Sequence, residues 1–384
     1  MWPKKTALSR ITDDKQIIPE IEGLRFLAIV LVIFSHINNI LLKHYPASLQ
    51  YNADTGLGIL LEQCGAGVQV FFFISGFILS VPFLQHHVYQ QKKLSVKHYY
   101  YRRFTRIEPP YLISLLLLLP ASAWLLHEKS GYLLAHFTAS ALYVHNIMYN
   151  EISRVNPVAW SLEIEIQFYI LFPLMAACLF VKNHVWRRML LVTFFIASAM
   201  LASIYQSWIL DHHLGKSLLT YAPLFIAGII AAEIYLSATH YFHNGKRYLY
   251  DVAGMLALYS CIKYSGFVDP RYKILLLAGY LTFFTAVFKG KLLNKFFTTH
   301  WVVLTGGMCY SIYLLHYAII YFFQGYITRH LYTYHFVTDI IIQSLLLMPV
   351  IWMISSMFFM YCERPFMDIR WPEKLVQYIN RSRH

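Results

Sequence analysis

The sequence predicts an all-α integral membrane protein, and two features of the chain support that prediction. Of its 384 residues, 58% are hydrophobic and only 13% are charged. Soluble chains carry about 25% charged residues, so much of this chain's surface requires an apolar solvent. The apolar runs are about 20 residues long, which is the length of a membrane-crossing helix and not of a barrel strand.

About ten apolar segments are predicted to cross the membrane as helices. They cover residues 24–42, 66–84, 109–126, 158–181, 189–210, 218–236, 250–267, 274–289, 301–324 and 336–361. The first is retained as a span because no small-residue cleavage site follows it. In the second, Ser75 and Gly76 are small enough to permit close helix packing. Because the loops are short and no repeat is visible, we expect residues 1–384 to form a single membrane domain with no appended soluble domain.

Residues 133–149 are apolar but short for a span, and the distribution of basic residues decides how they are placed. If this segment does not cross and the N-terminus is cytoplasmic, 24 of the 32 Lys and Arg residues lie on the inner side. A crossing there would move the later basic loops outside, against the positive-inside rule. We therefore expect both termini in the cytoplasm and 133–149 as a re-entrant or interfacial segment on the outer face.

The net charge and the cysteines argue against two further kinds of partner. The net charge of +13 is explained by the inner loops, and no soluble basic domain is present to bind nucleic acid. The five cysteines are scattered without a CxxC pair, which argues against a metal site and a disulfide framework. We expect neither a metal nor a nucleic-acid partner.

The first span carries an ionisable side chain that is costly inside a membrane. His36 lies eleven residues after Arg25, which is about 16 Å along a helix. With Arg25 at the inner interface, His36 falls near the middle of a ~30 Å hydrocarbon layer. Intramembrane ionisable residues are typically functional, although a role as a hydrogen-bonded packing residue stays open for His36.

Two carboxylates, Glu163 and Glu165, enter the fourth span from the outer side. Counted from Pro157, Glu165 lies about 12 Å deep and about 18 Å from the inner face. Because this depth matches that of His36, we predict that the two side chains are in contact or bridged by water. A carboxylate beside an imidazole suits a general base, and a structural ion pair is the alternative. Glu163 points about 200° away from Glu165, so only one of them can face His36.

The inner loop before the third span is rich in arginine. Arg103 and Arg106 are three residues apart and share one helix face. Arginine forks bind phosphate groups in a bidentate manner, so the loop suits a phosphate-rich cytosolic ligand. A positive-inside anchor in contact with lipid headgroups is the alternative.

Six stretches of the chain follow one another as residues 18–36 (arginine, ten residues, histidine), 67–80 (GVQVFFFISGFILS), 103–106 (RFTR), 160–173 (WSLEIEIQFYILFP), 309–316 (CYSIYLLH) and 363–366 (ERPF). Taken in this order, they resemble the acyltransferase-3 family of integral membrane acyltransferases. The family usually has one carboxylate, at the position of Glu165, so Glu163 is an additional one whose role the resemblance does not give.

The resemblance implies transfer of an acyl group, most often acetyl, from cytosolic acyl-CoA to a glycan or lipid-linked sugar hydroxyl on the outer side. It implies a stand-alone O-acetyltransferase of the bacterial inner membrane that modifies surface polysaccharide such as lipopolysaccharide. His36 and Glu165 would be catalytic, and the CoA phosphates would be held by Arg25, Arg103 and Arg106. Secondary candidates for the site are Trp160, Ser161, Glu163, Tyr169, Tyr310 and His316.

A proton-coupled transporter or glycan exporter is the alternative function, because carriers also use intramembrane His, Glu and Arg. No inverted repeat is visible, which favours the enzyme. A non-catalytic scaffold is disfavoured by the cost of burying His36 and Glu165. The acceptor sugar, the acyl group, the oligomeric state and the choice between direct transfer and an acyl-histidine intermediate stay open.

Overall fold

The computed structural model describes residues 6–11, 17–45, 56–90, 94–126, 128–149, 151–208, 215–266 and 269–373, and this part of the chain is helical with no β-strand. The helices of the first half are α1 (Pro19–His44), α2 (Gly56–Gln63), α3 (Gly67–His87), α4 (Val96–Leu126), α5 (Ser130–Ala141), α6 (His145–Met148), α7 (Trp160–Leu179) and α8 (His184–Trp208). Those of the second half are α9 (Leu218–Ser237), α10 (Thr239–His243), α11 (Tyr248–Tyr264), α12 (Pro270–Lys289), α13 (Lys291–Phe297), α14 (His300–Gly307), α15 (Cys309–Phe322) and α16 (Phe336–Phe358).

Short tighter or wider turns extend several of these helices. A 3₁₀ turn, Cys64–Ala66, joins α2 to α3, and a π turn, Phe323–Ile327, continues α15. The π turn Phe359–Glu363 and the 3₁₀ turn Arg364–Met367 continue α16.

Within the described residues, eight helical runs are long and apolar enough to cross a membrane. They are α1, α2 with α3, α4, α7, α8, α9, α12, and α16 with its two extensions. The pair α14–α15 is bent by 74° and is a ninth if it crosses as one span. Helix α11, the counterpart of the predicted span 250–267, has 17 residues, or about 25 Å, at the lower limit for crossing. The predicted all-α membrane fold is confirmed.

The predicted segment 133–149 does not cross. Helix α5 has 12 residues, or about 18 Å, which is too short for a span. In the turn after it, Tyr143 takes a φ of 57°, and its hydroxyl donates to Glu108 Oε2 at 2.6 Å. Because Glu108 lies well inside α4, the segment folds back against the middle of that helix.

The first and last described residues lie at the same end of the bundle. Arg364 Nε donates to the carbonyl oxygen of Ser9 at 3.4 Å, and Leu8 packs against the hydrophobic cluster formed by Met308, Phe359 and Met367. A chain returns to its starting side only after an even number of crossings, which agrees with the ten-span prediction. The side of the membrane on which this end lies stays a prediction.

Helices α3 and α9 approach closely at two glycines. A Cβ on Gly76 would collide with the carbonyl oxygen of Phe225, and one on Gly228 with that of Phe73. Small residues permit such close approach between membrane helices, so the predicted packing role of Gly76 is confirmed.

The two large hydrophobic clusters of the core meet at α1. One cluster joins α1 to α3, α7, α8, α9 and α12, and it buries Leu24. The other joins α1 to α4, α7, α15 and α16, and it buries Ile29. Helix α1, which carries Arg25 and His36, is therefore fixed from both sides.

Candidate active site

A cavity of about 120 Å³ lies between α1, α3, α4, α7 and α15, and it collects most of the predicted site residues. Two predicted secondary residues, Trp160 and His316, do not line it, and neither do His36 and Glu163. The predicted residues that do line it are Arg25, Arg103, Arg106, Ser161, Glu165, Tyr169 and Tyr310.

Two arginines at this cavity are paired with one buried carboxylate. Arg25 Nη1 donates to both oxygens of Glu22, at 2.7 and 2.8 Å. Arg10 Nη1 donates to Glu22 Oε1 at 2.7 Å. Glu22 is only 6% exposed, so it holds both cations at the cavity wall and neutralises part of their charge.

The other two arginines have no such partner. The guanidinium groups of Arg103 and Arg106 make no hydrogen bond or ion pair with any other described residue. The Arg103 guanidinium lies 5.2 Å from the centroid of the Tyr169 ring, which positions it by a cation–π contact. Glu165 and Glu363 line the same cavity and offset part of this charge, but neither forms a hydrogen bond with these two guanidinium groups. Their N–H donors are therefore available to an anionic group.

Glu165 faces the same cavity and is oriented by two hydroxyl groups. Ser75 Oγ and Tyr169 OH both donate to Glu165 Oε1. Tyr169 is four residues after Glu165 and therefore lies on the same face of α7. Ser75, for which the sequence predicted only close packing, is a donor to the carboxylate.

Glu163 points elsewhere and holds the outer segment. Its Oε2 accepts a hydrogen bond from the backbone N–H of Asn146 at 2.8 Å. Asn146 Nδ2 in turn donates to the carbonyl oxygen of Trp160 at 3.0 Å. Glu163 therefore anchors the short helix α6 to the start of α7, and only one carboxylate of the pair faces the cavity, as its spacing predicts.

His36 belongs to a neighbouring histidine pair. Its ring centroid lies 5.2 Å from that of His316 and 5.0 Å from that of Tyr317. Although both side chains are described, no hydrogen bond or ion pair joins His36 to Glu165. Of the two predicted arrangements, a direct hydrogen bond is therefore absent between these described residues, and a water bridge stays a prediction. The depth count gives the height of each side chain but not its direction, and Glu165 faces α3 whereas His36 faces α15.

The hydrogen bonds of His316 fix its tautomer. Its Nδ1 lies 3.0 Å from the carbonyl oxygen of Ile312 and 2.8 Å from that of Tyr313. A carbonyl oxygen can only accept, so the proton is on Nδ1 and Nε2 carries a lone pair. That Nε2 is buried and has no hydrogen-bond partner among the described residues. It can therefore accept a proton next to His36.

Tyr313 connects the histidine pair to the cavity. Its ring centroid lies 6.4 Å from that of His316, and its side chain lines the cavity. The Tyr313 hydroxyl donates to the carbonyl oxygen of Val158 at 2.6 Å and lies 3.1 Å from Ser161 Oγ. The side chain of Tyr313 thus lies between the histidine pair and the cavity.

Sequence reasoning missed four polar residues of the cavity. Glu363 accepts hydrogen bonds from Ser311, through the backbone N–H at 3.0 Å and through Oγ at 2.5 Å. Glu363 stands in the ERPF stretch that carried part of the resemblance, which was a usable signal. Arg10 stands in a polar N-terminal segment and gave none. The four residues are Arg10, Ser75, Tyr313 and Glu363.

A family comparison decides the broad class of the protein. The family model for acyltransferase 3, described as an acyltransferase domain, matches residues 18–362. The chain belongs to this acyltransferase family. With its apolar helices, this family member is a multi-pass protein of the bacterial plasma membrane.

Curated relatives are similar to this family member along most of its length. The peptidoglycan O-acetyltransferase OatA of Listeria monocytogenes is 25% identical over 335 residues, which is 80% of this chain and 50% of that protein. The O-acetyltransferase OatA of Staphylococcus aureus is 24% identical over 355 residues, or 86% of this chain and 55% of that protein. The chain thus spans about half the length of these relatives. No solved structure matches it.

Proposed function

We propose that this acyltransferase moves an acyl group, most simply acetyl, from cytosolic acyl-CoA to a hydroxyl of a glycan or lipid-linked sugar on the outer side of the membrane. The observation that carries the proposal is the cavity in which Glu165 meets four arginines, two of them without a partner among the described residues. Acyl-CoA combines phosphate groups with a thioester, which suits this lining. Two relatives bear the name O-acetyltransferase, which supports an acetyl group and a glycan acceptor.

The size of the cavity indicates how acyl-CoA would bind. Pockets for drug-sized ligands hold about 300–1,000 Å³, whereas this cavity holds about 120 Å³. We therefore place only the acyl-thioester end inside it. The phosphates would extend beyond it toward the cytoplasmic side, and we assign bidentate contacts with them to Arg103 and Arg106 and additional positive charge to Arg25.

The reaction exchanges a thioester for an oxygen ester. The acceptor hydroxyl gives its proton to a base, its oxygen bonds to the thioester carbonyl carbon, and the C–S bond breaks to release the CoA thiol. We assign the base to His36, beside which His316 Nε2 can take up a proton. Glu165 would position the acyl end through the hydroxyls of Ser75 and Tyr169. An acyl-His36 intermediate would use the same groups.

A proton-coupled carrier is the rival function, because it would also need histidines and a carboxylate within the membrane. Membership of an acyltransferase family favours group transfer. The two functions differ in one product, since only a transferase releases free CoA in proportion to acylated acceptor.

The test is transfer of labelled acetyl from acetyl-CoA to surface glycan by membranes that contain the protein. The wild type should label the glycan, and His36→Ala should lose about 10²–10⁴ of the rate while still binding acetyl-CoA. His44→Ala is the matched control, since His44 stands on the same helix with Nδ1 2.8 Å from the carbonyl oxygen of Ile40. Near-normal transfer by a folded His36→Ala protein would contradict the assignment of His36 as the base. A wild type that neither binds acetyl-CoA nor labels glycan would overturn the proposed function.

A further inference from the structure

A second cavity, of about 840 Å³, lies at the N-terminal end of α7. We call it the outer cavity, and we call the arginine-lined cavity the inner cavity. The outer cavity is bordered by the end of α8, the end of α11 and the starts of α7, α9 and α12. Each of these helix ends adjoins a segment that the charge distribution assigns to the outer side. Its volume is within the range of ligand pockets.

Two polar atoms in this lining have no hydrogen-bond partner in the part of the chain that the structure describes. Gln206 Oε1 and Thr220 Oγ1 are buried and make no hydrogen bond with any described residue. Thr220 is only 4% exposed. A buried polar atom without a partner destabilises the folded protein, and such groups in native proteins usually bind a water or a ligand. The lining therefore offers an amide oxygen and a hydroxyl to a ligand that can donate and accept hydrogen bonds.

Aromatic rings and further amides complete the lining. Trp160 and Tyr221 pack with ring centroids 5.7 Å apart, and both line the cavity together with Gln63. The amide of Gln69 is held in place, since its Nε2 donates to the carbonyl oxygen of Ser265 at 2.8 Å. Amphipathic rings beside fixed amides match a ligand with apolar C–H faces and many hydroxyls, which is the chemistry of a saccharide.

Only one layer of side chains separates this cavity from the arginine-lined one. Trp160 lines the outer cavity and its chain neighbour Ser161 lines the inner one. Phe72 lines the inner cavity, and its ring centroid lies 5.0 Å from that of Tyr221 in the outer one. A hydroxyl bound outside would thus lie across a single aromatic layer from a thioester bound inside.

We propose that the outer cavity is the acceptor subsite and binds a neutral saccharide unit between Trp160, Gln206 and Thr220. This inference rests on the proposed acyl transfer. The lining also contains Lys263, Lys273 and Glu62, which leave one net positive charge. The buried groups without a partner among the described residues are a neutral amide oxygen and a neutral hydroxyl, so we assign the subsite to a neutral ligand.

The first experiment blocks the cavity in the folded protein. Thr220→Cys is assayed for glycan acetylation before and after an impermeant methanethiosulfonate is added from outside, with the wild type as the control for native cysteines. The matched variant is Leu219→Cys, because Leu219 is 44% exposed and does not line the cavity. We expect modified Thr220→Cys to lose at least about tenfold of its transfer with its acetyl-CoA affinity unchanged, and Leu219→Cys to lose nothing.

The outcomes separate this inference from the proposed function. If the wild type transfers acetyl and modified Thr220→Cys transfers equally well, the acceptor subsite is overturned and the proposed function stands. If the wild type does not transfer acetyl, both are overturned.

The second experiment tests the neutral character of the ligand. Gln206→Leu keeps the size of the side chain and removes its amide, and it should reduce transfer by about 10- to 200-fold, as expected when a polar contact is lost. Lys273→Gln removes a positive charge from the same lining and should reduce transfer less. A larger loss in Lys273→Gln would overturn the neutral saccharide in favour of an anionic ligand.

Discussion

Among the single residues of the inner cavity, the decisive difference is which cations already have a partner. Arg10 and Arg25 share the carboxylate of Glu22, whereas Arg103 and Arg106 have no hydrogen-bonded or ion-paired partner among the described residues. Arg10 and Arg25 therefore contribute mainly positive electrostatic potential, whereas Arg103 and Arg106 can bind a ligand directly.

Replacing either unpaired arginine by alanine should weaken acyl-CoA binding. Arg103→Ala and Arg106→Ala each lose a charge-assisted phosphate contact of about 1.5–3 kcal/mol, which is about 10- to 150-fold in Kd. Titration calorimetry of the purified protein with CoA measures the loss. Arg102→Ala is the control, because Arg102 is adjacent in sequence but does not line the cavity. If both variants bind CoA with wild-type affinity, the arginine loop does not hold the CoA phosphates and is better explained as a membrane anchor.

The sequence could identify the cavity's charges but not their contacts. Arg25, Arg103 and Glu165 could be predicted because charged residues are conspicuous beside or within apolar runs. The partners of His36 could not, since the direction of a side chain depends on how helices pack around their axes. The hydroxyl of Ser75 carried no signal either, because a serine in a span is more often a small packing residue.

At the scale of helices and short segments, the fold-back of α5 and α6 is the least regular part of the bundle. Glu163 holds α6 through the backbone of Asn146, and Glu108 holds the preceding turn through Tyr143. The charge distribution predicts that this segment does not cross. Its attachment to α4 joins residues 35 positions apart, so local sequence patterns could not predict it.

The two glutamates of α7 should therefore respond differently to substitution. Glu163→Ala leaves a buried N–H unpaired and should destabilise the protein by about 1–3 kcal/mol, whereas Glu163→Gln keeps an acceptor oxygen and should stay near wild type. Glu165→Gln should fold normally and lose transfer. Thermal unfolding in detergent, beside the acetyl-transfer assay, measures both effects. A stable Glu163→Ala protein would contradict the anchoring role.

The same segment contains a buried histidine pair that should make its stability pH-dependent. His136 Nδ1 lies 2.6 Å from His145 Nε2, so one ring must donate and the other accept. Burial, and secondarily the neighbouring His136, lowers the pKa of His145 to about 4. Burial also lowers the pKa of His136, against the opposing effect of Glu151. Both rings are therefore neutral in the folded protein at neutral pH.

Folding lowers the pKa of such a histidine from an unfolded value of about 6.5. Its contribution to stability is therefore complete above that pH and decreases as the pH falls toward the pKa of the folded state. The melting temperature should therefore fall between pH 6.5 and pH 4 more steeply in the wild type than in His145→Asn. Parallel pH profiles for the two proteins would contradict a titrating pair.

At the scale of the whole molecule, two cavities of different chemistry lie on either side of one aromatic layer. The inner one is lined by arginines and carboxylates, and the outer one by amides, hydroxyls and aromatic rings together with two lysines and one glutamate. The order of the spans could be predicted from apolar length and the positive-inside rule. The two cavities could not, because each combines residues from helices far apart in the chain.

The proposed function requires the arginine-lined cavity to take acyl-CoA from the cytoplasm. The most direct measurement is binding of labelled acetyl-CoA to membrane vesicles of both orientations. Inside-out vesicles should bind it saturably, free CoA should compete, and the double variant Arg103→Ala, Arg106→Ala should lose the binding. Intact right-side-out vesicles should bind none. Saturable binding only to right-side-out vesicles, or to neither orientation, would contradict a cytoplasmic acyl-CoA site in this cavity.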